Sequence, residues 1–184
     1  MQLDILTDIF GKTHAVGELV NSIERPCTVI SPYADNRCFD NEQIAYRYFS
    51  EQIGIEHYYQ RTLDLLQKIE PPYLLIGFSV GAAIAWRLSA DNTLKKRPGN
   101  IIAFYGGQIR HFAHLNPLQP TELIFPKTEA HFCLESLVTA LQNKATITRT
   151  PYLHGFMNPL STHYSPQGYK KFLRYIKGLF DLAQ

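Results

Sequence analysis

The segment Gly77-Phe78-Ser79-Val80-Gly81 has the spacing Gly-x-Ser-x-Gly. It follows the apolar run Tyr73–Ile76 and precedes the small residues Ala82 and Ala83. A serine held on a tight turn between a strand and a helix presents its hydroxyl at the carboxyl edge of a sheet. Gly77 and Gly81 leave room for that turn and for close helix packing. The amides at the helix start point toward any oxyanion that forms beside the serine. The chemistry this pattern suits is nucleophilic acyl transfer, with Ser79 as the nucleophile.

A serine hydroxyl is a weak nucleophile and needs a base. Of the seven histidines, His154 lies in Tyr152-Leu-His154-Gly155-Phe156, just after the last strand-like run, and Gly155 lets the chain turn there. In the order Ser, acid, His, the acid lies between Ser79 and His154. Asp91 ends the helix after Ser79, Glu122 opens a strand at the opposite edge, and Glu135 is already in the next helix. Glu129 follows the run Leu123–Pro126 at the carboxyl edge, where it can orient the His154 imidazole.

The elements that must position these residues alternate strand and helix. Strand-like runs fall at Leu3–Ile9, Cys27–Tyr33, Tyr73–Ser79, Asn100–Gly106, Thr121–Lys127 and Ala145–Tyr152. Most are continuous apolar runs, as in strands covered on both faces of a parallel sheet. Helical spacing joins Val16, Leu19, Val20 and Ile23; Tyr59, Leu63, Leu66 and Ile69; and Leu134, Leu137, Val138 and Leu141. It recurs in Tyr169, Phe172, Leu173, Ile176, Leu179 and Phe180. The alternation predicts a three-layer, doubly wound α/β domain spanning residues 1–184, with a mostly parallel sheet of about six strands. Residues 34–54 break the rhythm; there Asp40 and Gln43 have capping-box spacing before a short helix. Gly107–Pro120 reads as a loop, too short for a large lid.

Composition is that of an ordinary globular protein: 184 residues, 45% hydrophobic and 18% charged. The net charge of +2 is spread along the chain, which argues against nucleic-acid or anionic-membrane partners. No apolar stretch is long enough for a membrane span. The N-terminus lacks a basic lead-in, and the three dispersed cysteines fit a reduced compartment, so a cytoplasmic protein is expected. His111-x-x-His114 has no Cys or carboxylate set to complete a metal site. No metal or other cofactor is expected. Phe10, Phe78, Tyr105 and Phe156 flank strand ends; they either surround Ser79 as an apolar pocket or pack into the core.

These motifs resemble the α/β-hydrolase superfamily, and within it the dienelactone hydrolase family. Thr7-Asp8-Ile9-Phe10-Gly11 is similar to the family's acidic-Ile-Phe-Gly segment. Gly77–Gly81 looks like its nucleophile elbow, and Ile102-Ala-Phe-Tyr105-Gly106 resembles its strand ending in Tyr-Gly. Glu129 and His154-Gly155-Phe156 match its acid and its His-Gly-Phe; Glu42-Gln43-Ile-Ala45-Tyr46 resembles a helix near its pocket. The name-giving members use Cys and Asp where this chain has Ser79 and Glu129, and their first-turn acid is Glu, not Asp8. The resemblance implies backbone amides of Ile9 and Val80 as the oxyanion hole, and Asp8 at the substrate. It also implies a strand order of 2-1-3-4-5-6, without the antiparallel pair that usually opens the fold. The expected activity is hydrolysis of small carboxylic esters by a monomer or small homo-oligomer. A thioesterase or peptidase would use the same triad, and a non-catalytic hydrolase-fold protein would bind a ligand in the same crevice.

Overall fold

The computed structural model describes residues 2–181. Six strands form a single all-parallel sheet: β1 (Gln2–Leu6), β2 (Cys27–Ile30), β3 (Tyr73–Phe78), β4 (Asn100–Phe104), β5 (Thr121–Phe125) and β6 (Thr146–Arg149). Their spatial order is β2-β1-β3-β4-β5-β6, as the motif order implied. The helices are α1 (His14–Ile23), α2 (Glu42–Tyr48), α3 (Gly54–Leu66), α4 (Val80–Ser89), α5 (Leu134–Leu141) and α6 (Pro166–Asp181).

Alternation along the strands divides the core into two faces. Leu3, Ile5, Leu74, Ile76, Ile102 and Ile124 pack with Leu19 and Ile23 of α1 and Phe172, Ile176 and Phe180 of α6. Leu6, Leu75 and Ile101 pack on the other face against Tyr58, Leu63 and Leu66 of α3 and Ile84 and Leu88 of α4. Ala103, Leu123 and Phe125 continue that face under Trp86 and α5. Right-handed crossovers account for this division. From β1 the chain moves outward to β2 through α1. It then returns past β1 to β3 through α3, and the reversal places α3 on the opposite face. The loops after β1 and β3 therefore diverge at the carboxyl edge, the place where open α/β sheets form binding crevices.

All of α4 except Arg87 is buried, because the helix is sandwiched between the sheet and α3. Arg87 leaves this core between the rings of Tyr59 and Phe112, 4.0 and 4.6 Å from their centroids, and forms a forked ion pair with Glu56. The stretch before α3 differs from expectation. Its cap is Asn41, whose side chain accepts the Ile44 amide, one residue beyond Asp40. The helix then runs through a π-helical turn, Phe49–Ile53, into α3. The predicted loop at Gly107–Pro120 begins instead as a 3-10 helix, Gly107–Phe112. It is pinned to α4 by the Trp86 indole, which donates to the Phe112 carbonyl at 2.8 Å. Among the described residues no helix is long and apolar enough to cross a membrane.

Candidate active site

Ser79 sits one residue past β3, and its amide still donates to Phe104 of β4 at 3.0 Å. Its backbone then turns to φ 54°, ψ −112°, a conformation that non-glycine residues occupy at a cost of about 1–3 kcal/mol. Its neighbours hold it there. A Cβ at Gly81 would lie 2.6 Å from the Thr7 carbonyl oxygen and closer still to that of Leu6. A Cβ at Gly77 would lie 2.7 Å from the Cα of Ala82 and collide with the Gly81 carbonyl. The helix therefore approaches the β1 and β3 backbones at a distance only glycine permits, and the hydroxyl of Ser79 is left partly exposed.

His154 lies on the loop after β6. Gly155 has φ 86°, and a Cβ there would meet the Ser161 side chain, its Cβ at 2.9 Å. The turn this produces brings His154 Nε2 to 2.9 Å from Ser79 Oγ. On its other side His154 Nδ1 is 2.8 Å from Glu129 Oε1, on the loop after β5. The imidazole is one-third exposed, while the Glu129 side chain retains 10% exposure. With Nδ1–H donating to Glu129, Nε2 is free to accept the serine proton. Beneath them, the ring of Tyr105 lies 5.1 Å from that of His154.

Two amides complete the edge. Neither the Val80 nor the Ile9 N–H has a protein acceptor among the described residues. The peptide that carries the Ile9 amide is held from its other end. The Asp8 carbonyl accepts the Gly11 amide at 3.3 Å and the Thr7 hydroxyl at 3.1 Å, which turns the Ile9 N–H away from them. The arrangement can thus accept a proton from Ser79, and it offers free donors from both loops that flank the crevice.

No protein-family model matches the chain. A curated relative, the uncharacterized protein YczH of Bacillus subtilis (strain 168), is 36% identical over 107 residues, or 56% of this chain. The chain spans about half the length of that relative (51%). Among solved structures, alpha/beta hydrolase domain-containing protein 10 from mouse superposes with a TM-score of 0.66 at 13% identity. The match covers 100% of this chain and 90% of that one. A lipase-esterase related protein from Clostridium acetobutylicum ATCC 824 gives a TM-score of 0.62 at 12% identity over 96% and 93% of the two chains. The fold is that of the α/β-hydrolases.

Within this hydrolase fold the structure brings together Ser79, His154, Glu129 and the two amides that the sequence singled out. The aromatic rings fare differently. Phe10, Phe78, Tyr105 and Phe156 are 4%, 6%, 1% and 0% exposed, so they leave almost no face for a substrate. Phe78, Tyr105 and Phe156 pack with Phe104 and Phe172 in the core beneath the site, the second of the two placements expected for these rings. The Asp8 carboxylate is likewise engaged by the protein itself. One carboxylate oxygen accepts the Phe10 amide at 3.0 Å and the other accepts Asn158 Nδ2 at 2.7 Å. Burial pushes its pKa up to about 6, against the opposing pull of these donors and of His154. Phe78, Tyr105, Asp8 and Asn158 line a narrow cleft beside α1.

Three residues that build this edge carry no signal in the sequence. The Tyr33 hydroxyl donates to the Ile9 carbonyl at 2.6 Å. Tyr58 donates to the carbonyls of Thr7 and Ile30 at 3.1 and 3.0 Å, joining the ends of β1 and β2. Asn158 bonds Asp8 across a separation of 150 residues. Tyr33 ends an apolar run and Tyr58 precedes the helical stripe that starts at Tyr59; in neither case does a ring give a sign of what its hydroxyl reaches.

Proposed function

We propose that the protein is a serine hydrolase that cleaves small carboxylic esters or closely related acyl donors through an acyl-enzyme, in the manner of the dienelactone hydrolases. The observation that carries this reading is the unbroken chain Ser79 Oγ to His154 Nε2 to Glu129, beside amides without acceptors. His154 Nε2 takes the hydroxyl proton as Ser79 Oγ attacks the acyl carbon. Glu129 holds the tautomer and stabilises the imidazolium. The carbonyl oxygen, now an anion, receives the Ile9 and Val80 N–H groups. His154 returns the proton to the leaving alcohol as the carbon–oxygen bond breaks. Water, deprotonated by His154, then releases the acid and restores Ser79.

The exposed Leu153 next to His154, with 40% of its surface accessible, supports an apolar group on the substrate. The resemblance of the fold to a lipase-esterase related protein supports ester chemistry. A fluorophosphonate probe tests the reading directly. The expected result is stoichiometric labelling of Ser79, abolished in Ser79→Ala, with turnover of p-nitrophenyl esters and, to an extent the same panel measures, of acyl thioesters. An intact protein that takes no label and turns over no activated acyl donor refutes it.

A further inference from the structure

Acyl transfer in this site depends on two loops keeping their relation. One leaves β1 and carries the Ile9 amide; the other leaves β6 and carries His154. The two strands are not neighbours, since β3, β4 and β5 lie between them. Side chains must therefore hold what the sheet does not. Asp8 immediately precedes Ile9, and its carboxylate binds the Phe10 amide of its own turn and Asn158 of the other loop. Asn158 is itself tied into the His154 loop at two further atoms. Its side-chain oxygen accepts the Leu160 amide at 2.9 Å, and its backbone N–H donates to Gly155 at 2.9 Å. Both residues are only 8% exposed, so water competes little for the bond.

We propose that Asp8 and Asn158 form a clamp that sets the position of the His154 imidazole relative to the Ile9 amide, and so act as a positioning pair for acyl transfer. The proposal rests on the serine hydrolase reading for its catalytic consequence, not for its geometry. Neither residue touches the reacting atoms.

The clamp is sensitive to pH. Facing Asp8 are His154 from the loop after β6, Glu42 at the start of α2, Tyr105 at the end of β4, Tyr58 on α3 and Tyr33 after β2. The side chains of α1 that line the adjoining cleft are Ala15, Val16 and Leu19, none of them titratable. The phenols stay neutral, because burial raises each of them. Burial and Glu42 oppose the Asp8 carboxylate, while Asn158, the Phe10 amide and His154 favour it, and the outcome is a group that titrates near 6. Below that pH the bond to Asn158 loses its charge assistance.

Asn158→Ala tests the clamp. On a p-nitrophenyl ester kcat is expected to fall about 10- to 100-fold, with KM within about threefold, because a displaced base costs rate more than binding. The acid limb of the rate profile moves to higher pH, since loss of the Asn158 donor removes a bond that favours the carboxylate. A purely structural role lowers the melting temperature without moving that limb. A folded Asn158→Ala with the parent's kcat and limb overturns the proposal. Should that variant not fold, near-isosteric Asp8→Asn supplies the second measurement. It removes one ionisation, so the fluorophosphonate labelling rate falls less steeply below pH 6; an unchanged steepness overturns the clamp. If the parent protein takes no label at all, the hydrolase reading fails on its own. The clamp is then decided by the NMR resonances of the Ile9 amide and the His154 imidazole in Asn158→Ala: displaced resonances support it and unmoved ones overturn it.

Discussion

Replacing Asp8 by Asn removes a buried titratable group without changing side-chain shape, and the pH dependence of folding then isolates its charge. The Asp8 pKa lies at about 6 in the folded protein against an ordinary value of 3.8, chiefly because burial penalises the carboxylate. The folded value is raised, so this group's contribution to stability is fully present below pH 3.8 and is lost as pH rises through about 6. The whole displacement corresponds to about 3 kcal/mol. Roughly half of that, about 1.4 kcal/mol, develops between pH 5 and pH 8. Urea unfolding of wild type and Asp8→Asn at pH 5 and pH 8 measures it. The variant must place an amide nitrogen or oxygen against Asn158 and loses some hydrogen bonding, but that cost is the same at both pH values and cancels in the double difference. The expected result is that Asp8→Asn gains about 1.4 kcal/mol on wild type between pH 5 and pH 8. Parallel pH profiles for the two proteins would show that the Asp8 carboxyl titrates normally, and would falsify the desolvation argument.

The other predictions concern the turns, the Glu129 carboxylate and the Arg87 sandwich. Gly81→Ala drives a Cβ into the carbonyls of Leu6 and Thr7, which cannot retreat without breaking the sheet; a destabilisation of about 3 kcal/mol or more is expected by chemical denaturation, and a change below about 0.5 refutes the contact. Glu129→Gln keeps the shape of the acid but not its charge or its hold on the imidazole tautomer. On the proposed function, kcat on a p-nitrophenyl ester is expected to fall about 100- to 10,000-fold with Ser79 still present, and a loss under about threefold removes Glu129 from the proposed triad. Gly155→Ala, at φ 86° and against Ser161, is expected to lower kcat through displacement of His154 by more than it lowers stability at distant sites, read by comparing hydrogen exchange in β3 with labelling at Ser79. Arg87→Ala loses the two-ring stack and the Glu56 fork, for about 1–2 kcal/mol in urea melts; Arg87→Lys, lacking the planar fork, is not expected to restore it.

The order of elements was legible in the sequence because each strand buried on both faces is an apolar run, and each crossover helix shows a stripe. The ends of the strands were not. All six runs were read past the true carboxyl end: Leu3–Ile9 ends at Leu6, Cys27–Tyr33 at Ile30, Tyr73–Ser79 at Phe78, Asn100–Gly106 at Phe104, Thr121–Lys127 at Phe125 and Ala145–Tyr152 at Arg149. The error has one sign and one cause. Past β2 and β4 the chain stays buried through Ser31-Pro-Tyr33 and Tyr105-Gly106, so burial does not mark the end, and past β3 and β4 the backbone has already left the extended conformation. Tyr105 turns to φ 42° and Ser79 to φ 54° at these positions. The same displacement explains the rings. Residues such as Tyr105 and Phe156 were placed near Ser79 correctly in the chain, but burial under the turns faces them into the core.

Of the site, local chemistry was readable and long-range support was not. Ser79 and His154 announce themselves by residue type, glycine neighbours and position after a strand, and Glu129 by residue type and position after a strand. Asn158 carries no such signature: it is one more polar residue in a loop, and its meaning depends on Asp8, 150 residues away. Tyr58 stands outside the stripe that begins at Tyr59, yet its hydroxyl ties the carbonyls of Thr7 and Ile30. This asymmetry follows from how the turns persist. A serine at positive φ and a histidine on a glycine turn are strained or loosely determined by their own sequence, so the surrounding structure has to over-determine them. For the loops after β1 and β6 the determination comes from buried hydrogen bonds between segments distant in the chain. Substitutions at Asp8, Asn158, Tyr33 and Tyr58 should therefore perturb the site more than their distance from the reacting atoms suggests. A Tyr58→Phe variant whose hydrogen exchange at Thr7–Gly11 matches wild type would count against that view.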